Sequence, residues 1–310
     1  MSIAEESQEP RADQSPAAGF GTPALIALLL LGALWGGSFP LIRVAVPAFG
    51  PFALTDLRAF IALLALLVWP ATLRAIPSLT PFRRRWRQYL LLGALDVAIP
   101  LVLVAAAELI MPASMAAILM ATVPLFTALI AGVWLREGLT AGRVAGLLLG
   151  FAGVAILTGW SPLALSSAVL LAVAAVLLAA TFYSLAGVYA AKTFEGVSTY
   201  EMAVGQQVAT VLLLLPLALV TPPQIWTSGP AWACLIALGV LSTAVAYLLF
   251  FYLISSVGAT RTMSVAYLVP LFGTAWGAIF LGEDLHLSTL LGMAVILIGV
   301  GLVTRLPLSR

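Results

Sequence analysis

PLFTALIAGVWLREGL at 124–139 and PLFGTAWGAIFLGEDL at 270–285 lie 146 residues apart and align without a gap. Pro124 meets Pro270 and Glu137 meets Glu283. At the same offset Gly93 meets Gly239, Ser114 meets Thr260, Gly146 meets Gly292, Gly153 meets Gly299 and Thr158 meets Thr304. Across 124–158, 10 of 35 positions are identical. Leu and Ala match cheaply in any apolar chain, but proline, glutamate and glycine at one constant offset do not. The chain reads as a duplication.

Both copies sit in a strongly apolar chain. Of 310 residues, 63% are hydrophobic and 8% charged, against roughly a quarter charged in water-soluble domains. One aqueous core cannot hide so much apolar surface, so lipid is the expected solvent. A membrane-spanning helix needs about 20 apolar residues. Ten such segments are read, at 22–44, 52–73, 88–107, 112–134, 141–160, 165–190, 199–220, 231–255, 260–281 and 286–305. The runs are continuous rather than alternating at period two, which selects helices over barrel strands. The expected organisation is a disordered cytoplasmic tail at 1–20, one five-helix repeat at 21–160 and a second at 161–310. The tail is polar and acidic, unlike a signal peptide, so the first segment is expected to stay as an anchor.

Five is odd, so the second repeat is expected upside down relative to the first. The basic residues agree with this. With the N-terminus inside, Arg11, Arg74, Arg83, Arg84, Arg85, Arg87, Arg136, Arg143, Lys192, Arg261, Arg305 and Arg310 are cytoplasmic, twelve of the fourteen, as the positive-inside rule requires. Arg43 and Arg58 are the exceptions. The outer loops at 45–51, 108–111, 160–164, 221–230 and 282–286 carry no Lys or Arg. Both termini are therefore expected to be cytoplasmic, and the membrane expected is a bacterial inner (plasma) membrane.

Several function classes lack their residues. His286 is the single histidine and Cys234 the single cysteine; no HExxH, GxSxG or Walker A motif occurs. Neither an enzyme nor an ATP-driven pump is expected, and neither a metal nor a cofactor. The partners expected are a small-molecule substrate and the bilayer, not nucleic acid, with the chain a monomer or a homodimer. Inverted repeats suit secondary transporters, because each half can adopt the shape its mate has just left. A channel or a structural membrane protein is the alternative of another class.

Three stretches resemble the EamA-like family of the drug/metabolite transporter superfamily: LWGGSFPLI at 34–42, ASMAAILMATVPLFTALIAGVWLREGLT at 113–140, and AYLLFFYLISSVGATRTMSVAYLVPLFGTAWGAIFLGEDL at 246–285. The resemblance covers 22–305. It implies ten helices in a five-plus-five inverted repeat, a central cavity worked by alternating access, and, for many members, export of amino acids or related metabolites. Met120 stands where members often have Asn, and Tyr252 where they often have Arg. Both departures imply a less polar lumen.

Asp96 is the leading candidate for coupling. A charge in mid-helix costs about 2.5–3.5 kcal/mol on insertion scales, so it must face water, pair, or hold a proton. It would serve as a proton-coupling or substrate-amine site, or else as a structural hydrogen bond. Candidate cavity residues are Trp35, Ser38, Phe39, Asp96, Thr181, Tyr183, Ser242, Thr243, Tyr247, Tyr267 and Trp276. Among them Trp35 and Ser38 share a helix face with Ile42, and Thr243 and Tyr247 share one with Phe250. Pro124 and Pro270, read as mid-helix at equivalent positions, suit a hinge or gate, or a static kink. Arg58, Glu137 and Glu283 are read as structural, the glutamates capping or gating beside the helices they precede. Glu108 reads as a solvated loop end. Gly142, Gly146 and Gly150 form a stripe for close helix packing, within the monomer or in a dimer.

Overall fold

The computed structural model describes residues 21–68, 79–134, 140–160, 166–223 and 229–305. The expected tail at 1–20 and Glu137 lie outside the described residues. Everything described is helix, turn or short connection, with no strand.

The first helix, α1 (Thr22–Val68), is 47 residues long. It passes the point where the sequence separates its first two segments. Gly50 makes the break, at φ 72 and ψ 163, a backbone shape that only glycine takes without strain. Nothing lies within 4 Å of where its Cβ would be, so backbone freedom rather than space requires the glycine. Pro51 follows at once, where a missing N–H costs nothing at the start of the second limb.

Next come α2 (Leu79–Gly93), a π-helical turn (Ala94–Ala98) and α3 (Ile99–Glu108), stacked end to end. After them, α4 (Ala113–Met120) and α5 (Val123–Trp134) are separated by a break at Ala121–Thr122. Then follow α6 (Ala141–Gly159), α7 (Ser167–Thr193) and α8 (Thr199–Val220). The hydroxyls of Thr140, Ser166 and Ser198 cap these three, each accepting a backbone N–H three residues on. A second stack comprises α9 (Gly229–Gly239), a π-helical turn (Val240–Val245) and α10 (Ala246–Val257). The chain closes with α11 (Ala259–Thr262), α12 (Val265–Leu281) and α13 (Leu287–Arg305). Eight of these helical stretches are long and apolar enough to cross a membrane, α1 counted once, and α12 is a shorter apolar helix of 17 residues.

The outside differs from that of a water-soluble protein, while the core stays largely apolar. Leu148, Leu171, Leu219 and Phe280 are each at least 67% exposed on the outside, whereas Arg58, Gln206, Gln207 and Thr243 are buried. An exterior of bare leucine, with polar and charged side chains turned inward, fits a hydrocarbon solvent. The protein is a polytopic integral membrane protein.

Glycines set how closely the helices pack. A Cβ on Gly146 would lie 2.8 Å from the Gly299 carbonyl oxygen, and one on Gly153 would lie 2.9 Å from that of Gly292. Gly146 and Gly153 of α6 thus face α13 inside the monomer, while Gly150 is pressed on Leu125 of α5; α6 and α13 run antiparallel. Gly36 is likewise pressed on α12, its missing Cβ only 2.7 Å from the Gly273 nitrogen. Close backbone approach, not a helix break, accounts for glycine in the 34–42 stretch, since α1 is continuous there.

Candidate functional site

A cavity of about 380 Å³ lies among the helices. α1 supplies Trp35, Ser38, Phe39 and Ile42 from its first limb and Arg58 from its second. Asp96 and Val104 come from the α2–α3 stack, Met120 and Pro124 from either side of the α4–α5 break, and Tyr183 from α7. α8 adds Gln207; the α9–α10 stack adds Ser242, Thr243, Tyr247 and Phe250. The N-terminal turns of α12 complete the wall with Val265, Ala266 and Val269.

The two π-helical turns place the polar groups. Each wraps one extra residue into a helix, which disrupts the regular hydrogen-bond ladder and often marks a functional site. They start at Ala94 and Val240, which is again the offset of 146. Asp96 and Ser242 are thus equivalent positions, and both line the cavity.

Two hydrogen-bonded groups stand on the wall. In the first, Tyr247 Oη donates to Asp96 Oδ2 at 3.5 Å and accepts from Gln206 Nε2. In the second, Arg58 Nε donates to Thr243 Oγ1 at 2.9 Å, while that hydroxyl donates to the Leu238 carbonyl at 2.8 Å. Arg58 is 7% exposed. Among the described residues no carboxylate lies within 4.0 Å of it, and its two Nη nitrogens make no hydrogen bond. Neither Asp56 nor Asp96 pairs with it. Gln207 also reaches the cavity, its amide without a hydrogen-bond partner among the described residues.

Of the residues singled out in the sequence, Trp35, Ser38, Phe39, Asp96, Tyr183, Ser242, Thr243 and Tyr247 come together here. Thr181, Tyr267 and Trp276 do not. Thr181 bonds back to the Leu177 carbonyl at 2.9 Å, Tyr267 pairs with Thr304 at 2.6 Å, and Trp276 Nε1 donates to the Ala33 carbonyl at 3.1 Å. Each is occupied in joining or bracing helices. Tyr252 is 43% exposed and off the cavity wall, so only the Met120 departure bears on the lumen. Gln206 and Gln207 are not among the residues singled out in the sequence, although two adjacent amides in the middle of an apolar segment are themselves a signal.

The two prolines are not shaped alike. Pro124 stands second in α5, just past the break, rather than mid-helix. A proline disfavours helix in the residue before it and withholds a donor from the turn before, which accounts for the interruption. Pro270 lies inside α12, off the cavity wall, and the break on that side falls earlier, at Met263–Ser264.

Beyond the cavity, Glu283 caps a helix other than the one it precedes. Its carboxylate accepts the backbone N–H groups of Ala113 at 2.7 Å and Ser114 at 2.9 Å, at the start of α4. Glu108 is fully buried rather than solvated: among the described residues its side-chain oxygens have no hydrogen-bond partner, while its carbonyl accepts from Arg43 Nη1. Among the described residues no group of His, Cys, Asp and Glu is arranged to hold a metal.

The model of the EamA-like transporter family matches this chain twice, over residues 22–159 and 170–305. An "Uncharacterized transporter YvbV" of Bacillus subtilis is 28% identical, covering 91% of both chains. A "Probable terminal-alkyne amino-acid exporter" of Streptantibioticus cattleyicolor is 29% identical, covering 93% of this chain and 95% of its own. An "Uncharacterized inner membrane transporter YedA" of Escherichia coli is 27% identical over 91% of this chain and 90% of its own. A crystal structure aligns with a TM-score of 0.65 at 22% identity over 91% of this chain and 96% of that one, a likeness of fold alone.

Proposed function

This chain belongs to the EamA-like transporter family, and from that premise we propose that it is a secondary transporter exporting neutral or aromatic amino acids, or close relatives, by alternating access. It is a membrane transporter and not an enzyme. In the proposed architecture α1 counts as two spans and α12 as one, making ten helices in two inverted repeats with both termini cytoplasmic.

Three observations support the inverted repeat. The family model matches once per half. The π-helical turns occupy equivalent positions. Gly146 meets Gly299 while their mates, Gly292 and Gly153, meet each other. That reciprocity, between equivalent helices running antiparallel, is what a two-fold axis lying across the helices produces.

The observation that carries the transport reading is the hydrogen-bonded chain Gln206–Tyr247–Asp96 on the wall of a cavity shared by both halves. A carboxylate held there faces solute and water rather than lipid, which suits proton coupling. Trp35, Tyr183 and Phe250 favour an amphipathic solute with an aromatic or aliphatic part. The name of the Streptantibioticus relative supports an amino acid. An uncoupled carrier is the second reading, and Asp96 separates the two.

The test is counterflow. Purified protein in proteoliposomes, preloaded with one amino acid, is assayed for uptake of radiolabelled amino acids, nucleosides and hydrophobic cations. Saturable exchange confined to amino acids is expected. Exchange of none of these solutes would remove the transport reading.

A further inference from the structure

Arg58 and Asp96 are opposite charges on one cavity wall that do not pair with each other. Each is tied to a neutral hydroxyl instead, Arg58 to Thr243 and Asp96 to Tyr247. A buried guanidinium with no carboxylate within 4.0 Å among the described residues is costly in a low-dielectric setting, and Glu108, the acid that acts on it electrostatically, does not ion-pair with it. Removing both charges, or letting them meet, would relieve that cost. The arrangement does neither: Thr243 holds the Nε edge, and both Nη nitrogens are without a hydrogen-bond partner among the described residues. Planar, paired donors of this kind match a carboxylate in bidentate fashion.

We propose that Arg58 is the receptor for a substrate carboxylate and Asp96 for the ammonium group of the same molecule, so that the cavity selects zwitterions. This rests on the transport reading above and assigns its charge specificity. One ligand with both groups satisfies the two wall charges at once. A ligand lacking either leaves a buried charge uncompensated, the condition under which a site rejects an analogue most strongly. Trp35, Phe250 and Met120 then face the apolar remainder of the solute.

The experiment uses the full chain in proteoliposomes exchanging labelled phenylalanine. The competitors are unlabelled phenylalanine, phenethylamine (no carboxylate) and 3-phenylpropionate (no ammonium). For the native protein each truncated analogue should compete at least about tenfold less well than phenylalanine. In Arg58→Gln the preference over phenethylamine should collapse to about threefold or less, while the preference over 3-phenylpropionate persists. Arg58→Lys, which keeps the charge but not the fork, should restore part of the lost preference. The proposal is overturned if phenethylamine competes as well as phenylalanine in the native protein, a result that requires no variant to fold. It is equally overturned if Arg58→Gln keeps the native preference. Should phenylalanine not exchange at all while tetraphenylphosphonium does, the zwitterion site is wrong and the carrier reading stands; with neither exchanged, both fall.

Discussion

Glu283 Oε2 accepts the backbone N–H of Ser114 at 2.9 Å, joining residues 169 apart in sequence. With Oε1 on Ala113, the carboxylate satisfies two of the donors that the start of α4 leaves open, and its charge faces the positive end of the helix. Gly277 makes this possible, since a Cβ there would lie 2.6 Å from Glu283 Oε2. One side chain thus clamps the end of α12 to the start of α4. Glu283→Ala should lower thermal stability in detergent by about 1–2 kcal/mol, and Glu283→Gln, which keeps one acceptor, by less. Differential scanning fluorimetry reads both; an unchanged melting temperature for the alanine variant would show that the clamp carries no weight.

Asp96→Asn keeps a polar group on the wall and removes the exchangeable charge. Uptake into proteoliposomes driven by a pH gradient should lose its dependence on that gradient, with the protein still monodisperse. Gradient-driven accumulation at the native level would leave Asp96 without a coupling role.

Tyr247→Phe deletes the hydroxyl that links Gln206 to Asp96. A hydrogen bond to a charged group contributes about 1.5–3 kcal/mol, so the transport rate should fall by roughly 10- to 100-fold. Gln206→Leu should have a smaller effect, because it leaves the Tyr247–Asp96 hydrogen bond in place. The ordering of the two variants is the check, and a reversed order contradicts the chain as drawn.

Gly299→Ala would put a Cβ 2.6 Å from the Gly146 carbonyl oxygen. Helices cannot yield there without moving backbone, so a loss of about 1–3 kcal/mol is expected. Gly153→Ala, at the equivalent place, should cost a similar amount. Gly187→Ala, with nothing within 4 Å, is the control and should be neutral or stabilising by up to about 1 kcal/mol. Melting curves of the three variants suffice.

Much of this molecule can be read without coordinates, and the residues show why. The duplication is carried by proline, glutamate and glycine, which apolar composition cannot counterfeit. The face shared by Trp35, Ser38 and Ile42, and the one shared by Thr243, Tyr247 and Phe250, follow from helical periodicity alone, and both stripes lie on the cavity wall. The π-helical turns leave no compositional trace, because one extra residue in a turn changes hydrogen bonding and not residue type. Glu283 was legible as a cap, but which helix it caps depends on tertiary contact. Glu108 sits at a segment end that looks solvated, yet packing seals it completely. Thr181, Tyr267 and Trp276 have the polarity of cavity residues, but each is engaged with a nearby backbone or hydroxyl group.

The π-helical turns are twins in shape and strangers in chemistry: Asp96 stands in one, and Ser242 in its counterpart. A scaffold duplicated in form carries its acid on one side only. Whichever face admits water, this pair of positions offers a single carboxyl group to it. Proton coupling through these turns, as proposed above, would move one hydrogen ion per cycle.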